Sequence, residues 1–402
     1  MHESDAAGLL PVELFVVLVA VATVVAFLTR RTPLPYSVAL VLAGLGIAFL
    51  VPDSRIDVSP ELILAVLLPG LVFEAAYKID IDELRRTFPV VAVLAAPGVL
   101  VTAGIVAVAV HLATGLDLPS AFVLGAIVSA TDPVAVVALF KRVGAPKPLA
   151  TAVESESLLN DGTGVVLFAI AVRVLSEPVT LVDGAVSFVL TVVLSAVIGL
   201  VAGVIAYRLL RATEDHLLEI AISVVAAYGT YLLADRLHQS GIIAAVVVGL
   251  VLGNGRLPTP LSERARETLD VVWEFVAFLL TALTFLLMGL IIGPENLAAA
   301  LPVVVVGYVS MTLARAIVVY GVIGGVGRLL PAGRKVPGGY LHVMFWSGLR
   351  GAIAVALALA LPADMPGRDT VAGAVYGIVL ITLLVQGTTV GWVVRRSGVL
   401  EA

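Results

Sequence analysis

The sequence of 402 residues contains no cysteine. Disulfides, thiolate metal sites and thiol nucleophiles are therefore excluded, and nothing can be read about redox compartment. Charge is also scarce. Only 13% of residues are Asp, Glu, Lys or Arg, about half the share of a soluble globular chain. Four residues are lysine, and the net charge is −5 without any basic cluster. Nucleic acid is thus not an expected partner, because its binding needs a basic face. What the chain has in quantity is apolar length: 60% of residues are hydrophobic. A soluble protein of this size could not cover its core with so little polar surface, so the composition implies a bilayer as solvent.

Breaks in the apolar pattern define thirteen candidate spans, near 11–28, 35–51, 61–77, 88–113, 119–140, 149–175, 183–210, 217–236, 241–253, 268–292, 297–325, 339–361 and 371–394. Crossing a bilayer takes roughly 20 mostly apolar residues, and only the ninth span is clearly short. The expected fold class is an all-α polytopic membrane protein. Spans 1–6 cover about 11–175, a linker span 183–210, and spans 8–13 about 217–394, in one transmembrane domain over 1–402 with no stretch left for a soluble domain. Six spans on each side of a linker would place the halves in opposite orientation; no sequence repeat marks them, so this rests on number alone. The N-terminal MHESDAAGLLPVEL has no basic region and reads as an acidic tail before a retained first span.

Lys and Arg test the spans independently of hydropathy. With the N-terminus outside, inner loops hold 18 of the 24 basic residues and outer segments hold 4: Arg55, Arg173, Arg236 and Arg368. The last two, Arg315 and Arg350, fall inside spans. This bias predicts a multi-pass plasma-membrane protein with its N-terminus outside and its C-terminus in the cytoplasm. Few lysines with much alanine, valine and arginine point to a GC-rich prokaryotic genome.

Ionisable residues deep in a bilayer are costly and mark function by default. In the sixth span, Asp161 lies 12 residues past Leu149, about 18 Å at 1.5 Å per residue, near the midplane. Glu154, Ser157 and Asp161 share one helical stripe with Glu156 and Asn160 beside it, a polar arc of about 160°. Glu154 sits nearer the inner mouth, where a helix-dipole role would also account for it. In the fifth span, AIVSATDPVAVVALF places Asp132 and Pro133 at the middle. Proline removes a backbone donor and drives its predecessor out of helical geometry, freeing carbonyls near Ala130 and Thr131. In the twelfth, Arg350 stands between Gly348 and Gly351. It keeps its proton, so the available carboxylates Asp132, Glu156 and Asp161 are its expected partners. Two interrupted helices in corresponding positions are the best sequence pointer to a transport site. Arg315 is expected to neutralise Glu156 or Glu74. Glu74, near the inner end of the third span, Glu154 and the loop-edge His342 could sense pH or mark an entrance, and His111 is a second loop-edge histidine that could sense pH.

Three strings in order, ATDPVAV, ESLLNDG and GLRGAIAVAL, resemble the NhaP-type branch of the sodium/proton exchangers, and the likeness spans most of the chain. The resemblance implies that Asp161 binds cation or proton, with Asn160 as its neutral neighbour. It makes Ser157 an oxygen ligand, and Thr131 and Asp132 the unwound-helix positions that complete a monovalent-cation site. It makes Glu156 and Arg350 a buried charged pair. An Asn-Asp pair implies electroneutral exchange, one proton for one cation. It further implies a homodimer whose core bundles slide against a dimerisation scaffold. No cofactor is implied beyond the transported Na⁺ or Li⁺, with K⁺ as the alternative, and H⁺.

A hard-oxygen site suits Na⁺ or Li⁺. Two rival classes share the same broken-helix features. A cation channel would need no titrating carboxylate, and a sodium-coupled symporter would need a polar or aromatic solute pocket, for which spans 5, 6 and 12 offer few groups.

Overall fold

The apolar runs fold as helices, and among the described residues there is no strand. The computed structural model describes residues 6–30, 32, 34–50, 59–254, 263–292, 294–325 and 336–400. Six residues of the charge count, Arg31, Arg55, Arg256, Arg328, Arg334 and Lys335, lie outside them.

In chain order the helices are α1 (Ala6–Thr29), α2 (Tyr36–Leu50), α3 (Leu68–Lys78, entered through a π-helical turn at Leu62–Leu67) and α4 (Ile81–Thr114). The fifth predicted span is two helices, α5 (Leu118–Ser129) and α6 (Val134–Val143). There follow α7 (Lys147–Ser176), α8 (Leu181–Arg211), α9 (His216–Arg236), α10 (Gly241–Asn254), α11 (Glu263–Ile291) and α12 (Pro294–Ala316, continued by a π-helical stretch to Ile323). The twelfth span is again divided, into α13 (Gly338–Trp346) and α14 (Ala352–Leu359), and α15 (Arg368–Arg396) closes the chain. Among the described residues, seven helices are long and apolar enough to cross a membrane by length and composition, and shorter apolar helices accompany them.

Side chains written into the sequence fix several helix starts. Asp80 accepts from the N–H groups of Asp82 and Glu83 to cap α4, Asp117 from Ser120 to cap α5, and Thr180 from Asp183 to cap α8. Each satisfies an orphan donor of a first turn, worth about 1 kcal/mol. Inside α4, Pro97 lies in a π-helical turn, Leu94–Gly98. The carbonyl of Ala95 there accepts a 2.5 Å hydrogen bond from Thr163 Oγ1 of α7. A hydroxyl from a neighbour thus bonds to the irregular backbone beside the proline. The same bond fastens α4 to the polar middle of α7.

Large apolar side chains face outward along the outer helices, Phe27 and Leu28 on α1 and Val189, Leu190 and Leu200 on α8 among them. Polar and charged side chains instead collect inside: Thr131, Ser157, Asn160, Glu156 and Arg350 are all buried. A water-soluble fold has the reverse arrangement. The molecule is a multi-pass membrane protein with a polar heart.

Candidate functional site

That heart is built where the two divided spans meet. Helix α5 ends at Ser129; Ala130 is extended, and Pro133 opens α6. Across from it, α13 ends at Trp346 and Gly351 precedes α14. The two irregular stretches are joined by a backbone hydrogen bond, Asp132 N–H to the Leu349 carbonyl at 2.8 Å. Two helix C-termini (α5, α13) and two N-termini (α6, α14) therefore converge, and their partial charges need partners.

Asp132 serves the positive ends. Its Oδ1 accepts from Val134 N–H at 2.9 Å, and its Oδ2 from Ala352 N–H at 3.4 Å. Gly351 makes this possible, because a Cβ there would collide with the Asp132 carboxylate. Arg350 serves the negative ends. Its Nε donates to the Val128 carbonyl at 2.6 Å and its Nη1 to the Gly348 carbonyl, while its backbone N–H donates to Thr382 Oγ1 at 3.1 Å.

The pairing of Glu156 with Arg350 is thus corrected. Glu156 is held by both terminal nitrogens of Arg315, Nη1 to Oε1 and Nη2 to Oε2, the latter at 3.0 Å; Nη2 also donates to the Met344 carbonyl at 2.7 Å. Among the described residues Arg350 has no carboxylate in ion-pair range. The expectation that it must face one overlooked the broken ends of α5 and α13, whose carbonyls satisfy a guanidinium without a counter-ion.

The polar arc of α7 divides among three neighbours. Asn160 and Ser157 turn to the break in α5: Thr131 N–H donates to Asn160 Oδ1 at 3.1 Å, Asn160 Nδ2 donates to Thr131 Oγ1 at 2.8 Å, and Thr131 Oγ1 lies 2.9 Å from Ser157 Oγ. Glu156 turns to Arg315. Asp161, the fifteenth of the 30 residues of α7, turns to a cavity of about 70 Å³ whose lining includes Ala130, Thr131, Asp132, Glu154 and Gly351. Leu158 lines it too. The cavity extends from Asp161 two turns back along α7 to Glu154 and along α3 to Ala75, toward the end of the bundle that carries Lys78 and Lys147.

Asp161 is 9% exposed, and among the described residues no side chain or backbone N–H donates to its carboxylate. Glu156 has Arg315 and Asp132 has two helix ends, whereas Asp161 at the break, like Glu154 two turns nearer the mouth, has no protein partner among the described residues. The other residues singled out lie apart. Glu74 forms an i, i+4 pair with Lys78 at 2.5 Å, Tyr320 Oη meets His342 Nδ1 at 2.9 Å, and His111 Nδ1 meets the Leu116 carbonyl at 2.7 Å. Sequence reading gave Gly351 no role at the site and passed over Thr382. The signal for the first was present in GLRGA, a glycine beside a buried arginine; for Thr382, in an apolar run, there was none.

Residues 16–396 match the family described as "Sodium/hydrogen exchanger, transmembrane". The chain is 36% identical over 396 residues to the Na⁺/H⁺ antiporter ApNhaP of Aphanothece halophytica, covering 96% of this chain and 75% of that one. It is 33% identical to the Na⁺/H⁺ antiporter NhaH of Halobacillus dabanensis, covering 95% and 97%. Its fold is similar to that of the sodium proton antiporter MjNhaP1 from Methanocaldococcus jannaschii, with a TM-score of 0.78 at 19% identity over 98% of this chain and 99% of that one. The chain belongs to the sodium/hydrogen exchanger family and is a membrane transporter of the NhaP type, not an enzyme.

Proposed function

We propose that the protein exchanges Na⁺ or Li⁺ for H⁺ across the plasma membrane, one for one, with Asp161 as the shared binding group. The observation that carries this reading is the carboxylate itself, buried midway along α7 against a cavity with no protein donor. An unpaired buried carboxylate is strongly unfavourable, so it demands a cation or a proton. Thr131 and Asp132 line that cavity with it, and Ser157 and Asn160 bond to Thr131 at the break, together an oxygen-rich set suited to a small alkali cation. No cofactor enters the cycle.

Exchange follows from charge. With Na⁺ beside the carboxylate, or with a proton on it, the site carries the same net charge, and either form can be presented to the opposite face. The empty ionised form faces the full desolvation cost and does not cross. The chain then alternates between two faces, and each passage carries one ion. Thirteen crossings, an outer N-terminus, inverted halves and a homodimer complete the proposal; they rest on the span pattern, the Lys/Arg bias and the family resemblance.

The experiment is Asp161→Asn in reconstituted vesicles with an imposed pH gradient. Wild type is expected to collapse the gradient on addition of Na⁺, and the variant to leave it standing. Undiminished exchange by the variant would overturn the assignment. A cation series at several pH values reports selectivity at the same time. If cation and proton compete for one group, the apparent KM for Na⁺ rises as pH falls.

A further inference from the structure

Away from Asp161, a second and larger cleft of about 480 Å³ opens between the ends of α1, α6 and α15. Its charged lining is Arg30, Arg142 and Arg395, with Thr388 among its polar groups and Leu139 and Val143 among its apolar ones. All three arginines are exposed, and among the described residues no carboxylate lies within ion-pair distance of any of them. Arg142 reaches across the cleft, with Nη1 3.4 Å from the Thr32 carbonyl.

The bland account of such residues is compensation of helix dipoles, since each stands at a helix C-terminus. Magnitudes decide against that as the whole explanation. Three C-terminal ends supply about one and a half negative charges in all, against three guanidinium groups. A positive excess remains inside a cleft whose apolar walls keep the field concentrated.

We propose that this cleft binds the phosphate of an anionic phospholipid headgroup. Guanidinium forks match phosphate oxygens in bidentate geometry, and basic pockets between membrane helices at the cytoplasmic side are suited to acidic headgroups. The depth is set by a second feature of α15. Trp392 is 55% exposed, and Arg396 stacks over its ring at 5.0 Å. An exposed tryptophan beside a cation belongs at the membrane–water interface, one turn of helix from Arg395. Arg30, Arg142 and Arg395 all fall on the side that the positive-inside rule makes cytoplasmic, where anionic lipids give the surface its negative potential. A lipid seated there would tie α1 to α6 and α15, joining segments distant in sequence at the inner face.

The test needs no transport, so it stands or falls separately from the exchange reading. The full-length protein is extracted from bilayers of phosphatidylcholine and phosphatidylglycerol in equal amounts, and the lipids that remain bound are counted by native mass spectrometry. Wild type is expected to retain phosphatidylglycerol over phosphatidylcholine. The triple variant Arg30→Gln, Arg142→Gln, Arg395→Gln should lose that preference on the order of a hundredfold, at roughly fivefold per arginine, and the triple Arg→Lys variant should keep most of it. No preference in wild type, or a preference unchanged in the glutamine variant, would overturn the proposal. So would Arg-dependent binding of inorganic phosphate in neutral detergent that phosphatidylglycerol does not compete away, since the site would then serve a soluble anion. Wild type alone decides the first outcome, so the result does not depend on the variants folding.

Discussion

Asp132 and Arg350 divide four broken helix ends between them. The carboxylate accepts from the first turns of α6 and α14, and the guanidinium donates to the Val128 carbonyl at the end of α5 and to Gly348 just past α13. Each end carries about half a charge, so one acid and one base balance two positive and two negative termini. Asp161 is thereby spared structural duty.

Replacement of Asp132 separates capping from charge. Asparagine keeps one side-chain acceptor, whereas alanine keeps none. With roughly 1 kcal/mol for each lost cap, thermal stability in detergent is expected to fall in the order wild type, Asp132→Asn, Asp132→Ala. Equal midpoints for the two variants would show that the caps contribute nothing measurable.

Gly351→Ala is expected to act on the site without contacting the ion. The added methyl would press on the Asp132 carboxylate, and overpacking of this kind costs about 1–3 kcal/mol. The carboxylate must shift, and its shift disturbs the cavity shared with Asp161. The apparent KM for Na⁺ in vesicles is expected to rise at least several-fold while the protein remains folded. An unchanged KM would place Asp132 outside the cation's reach.

The Glu156–Arg315 pair gives a third test. It is buried and bidentate, and removing one partner from such a pair costs roughly 3–5 kcal/mol because the other charge is stranded. Glu156→Gln and Arg315→Met should each lower the unfolding midpoint strongly, and the double variant should recover much of the loss. Additive losses would instead make Arg350 the effective partner. Differential scanning calorimetry in detergent reads the cycle.

Much of this arrangement was legible in the chain. Pro133 announced the break in α5 at the right residue, because a proline acts on its own backbone and that of its neighbour. Arg350 between two glycines announced the second break for similarly local reasons. Contacts between distant segments were not legible. Asp132 capping α14 and Arg350 reaching Val128 depend on how two breaks cross, which no local pattern encodes. The three-way division of the α7 arc was hidden for the same reason: periodicity gives a face but not its neighbours. The resemblance paired Glu156 with Arg350, whereas simple charge matching on this sequence offered Arg315, its partner in the structure. The Glu74–Lys78 pair could have been read directly, since i, i+4 spacing makes the two helical neighbours.

Electroneutrality is the most decisive prediction, and it turns on Asn160. Its amide oxygen accepts from Thr131 N–H and its amide nitrogen donates to Thr131 Oγ1. It fixes the broken segment while adding no ionisable group beside Asp161. With Asp132 held as a cap at two helix ends, Asp161 is the carboxylate left at the break to exchange its partner, so the site is expected to move with the same charge in both directions. Carrying one net charge per cycle across about 100 mV would be worth about 2.3 kcal/mol, roughly a fiftyfold change in the equilibrium ion ratio. Proteoliposomes with a valinomycin-imposed potassium diffusion potential are therefore expected to show the same Na⁺/H⁺ exchange rate at either polarity and at none. A rate that follows the potential would mean that Asp132 also changes its charge during transport, and that its bonds to Val134 and Ala352 break in each cycle.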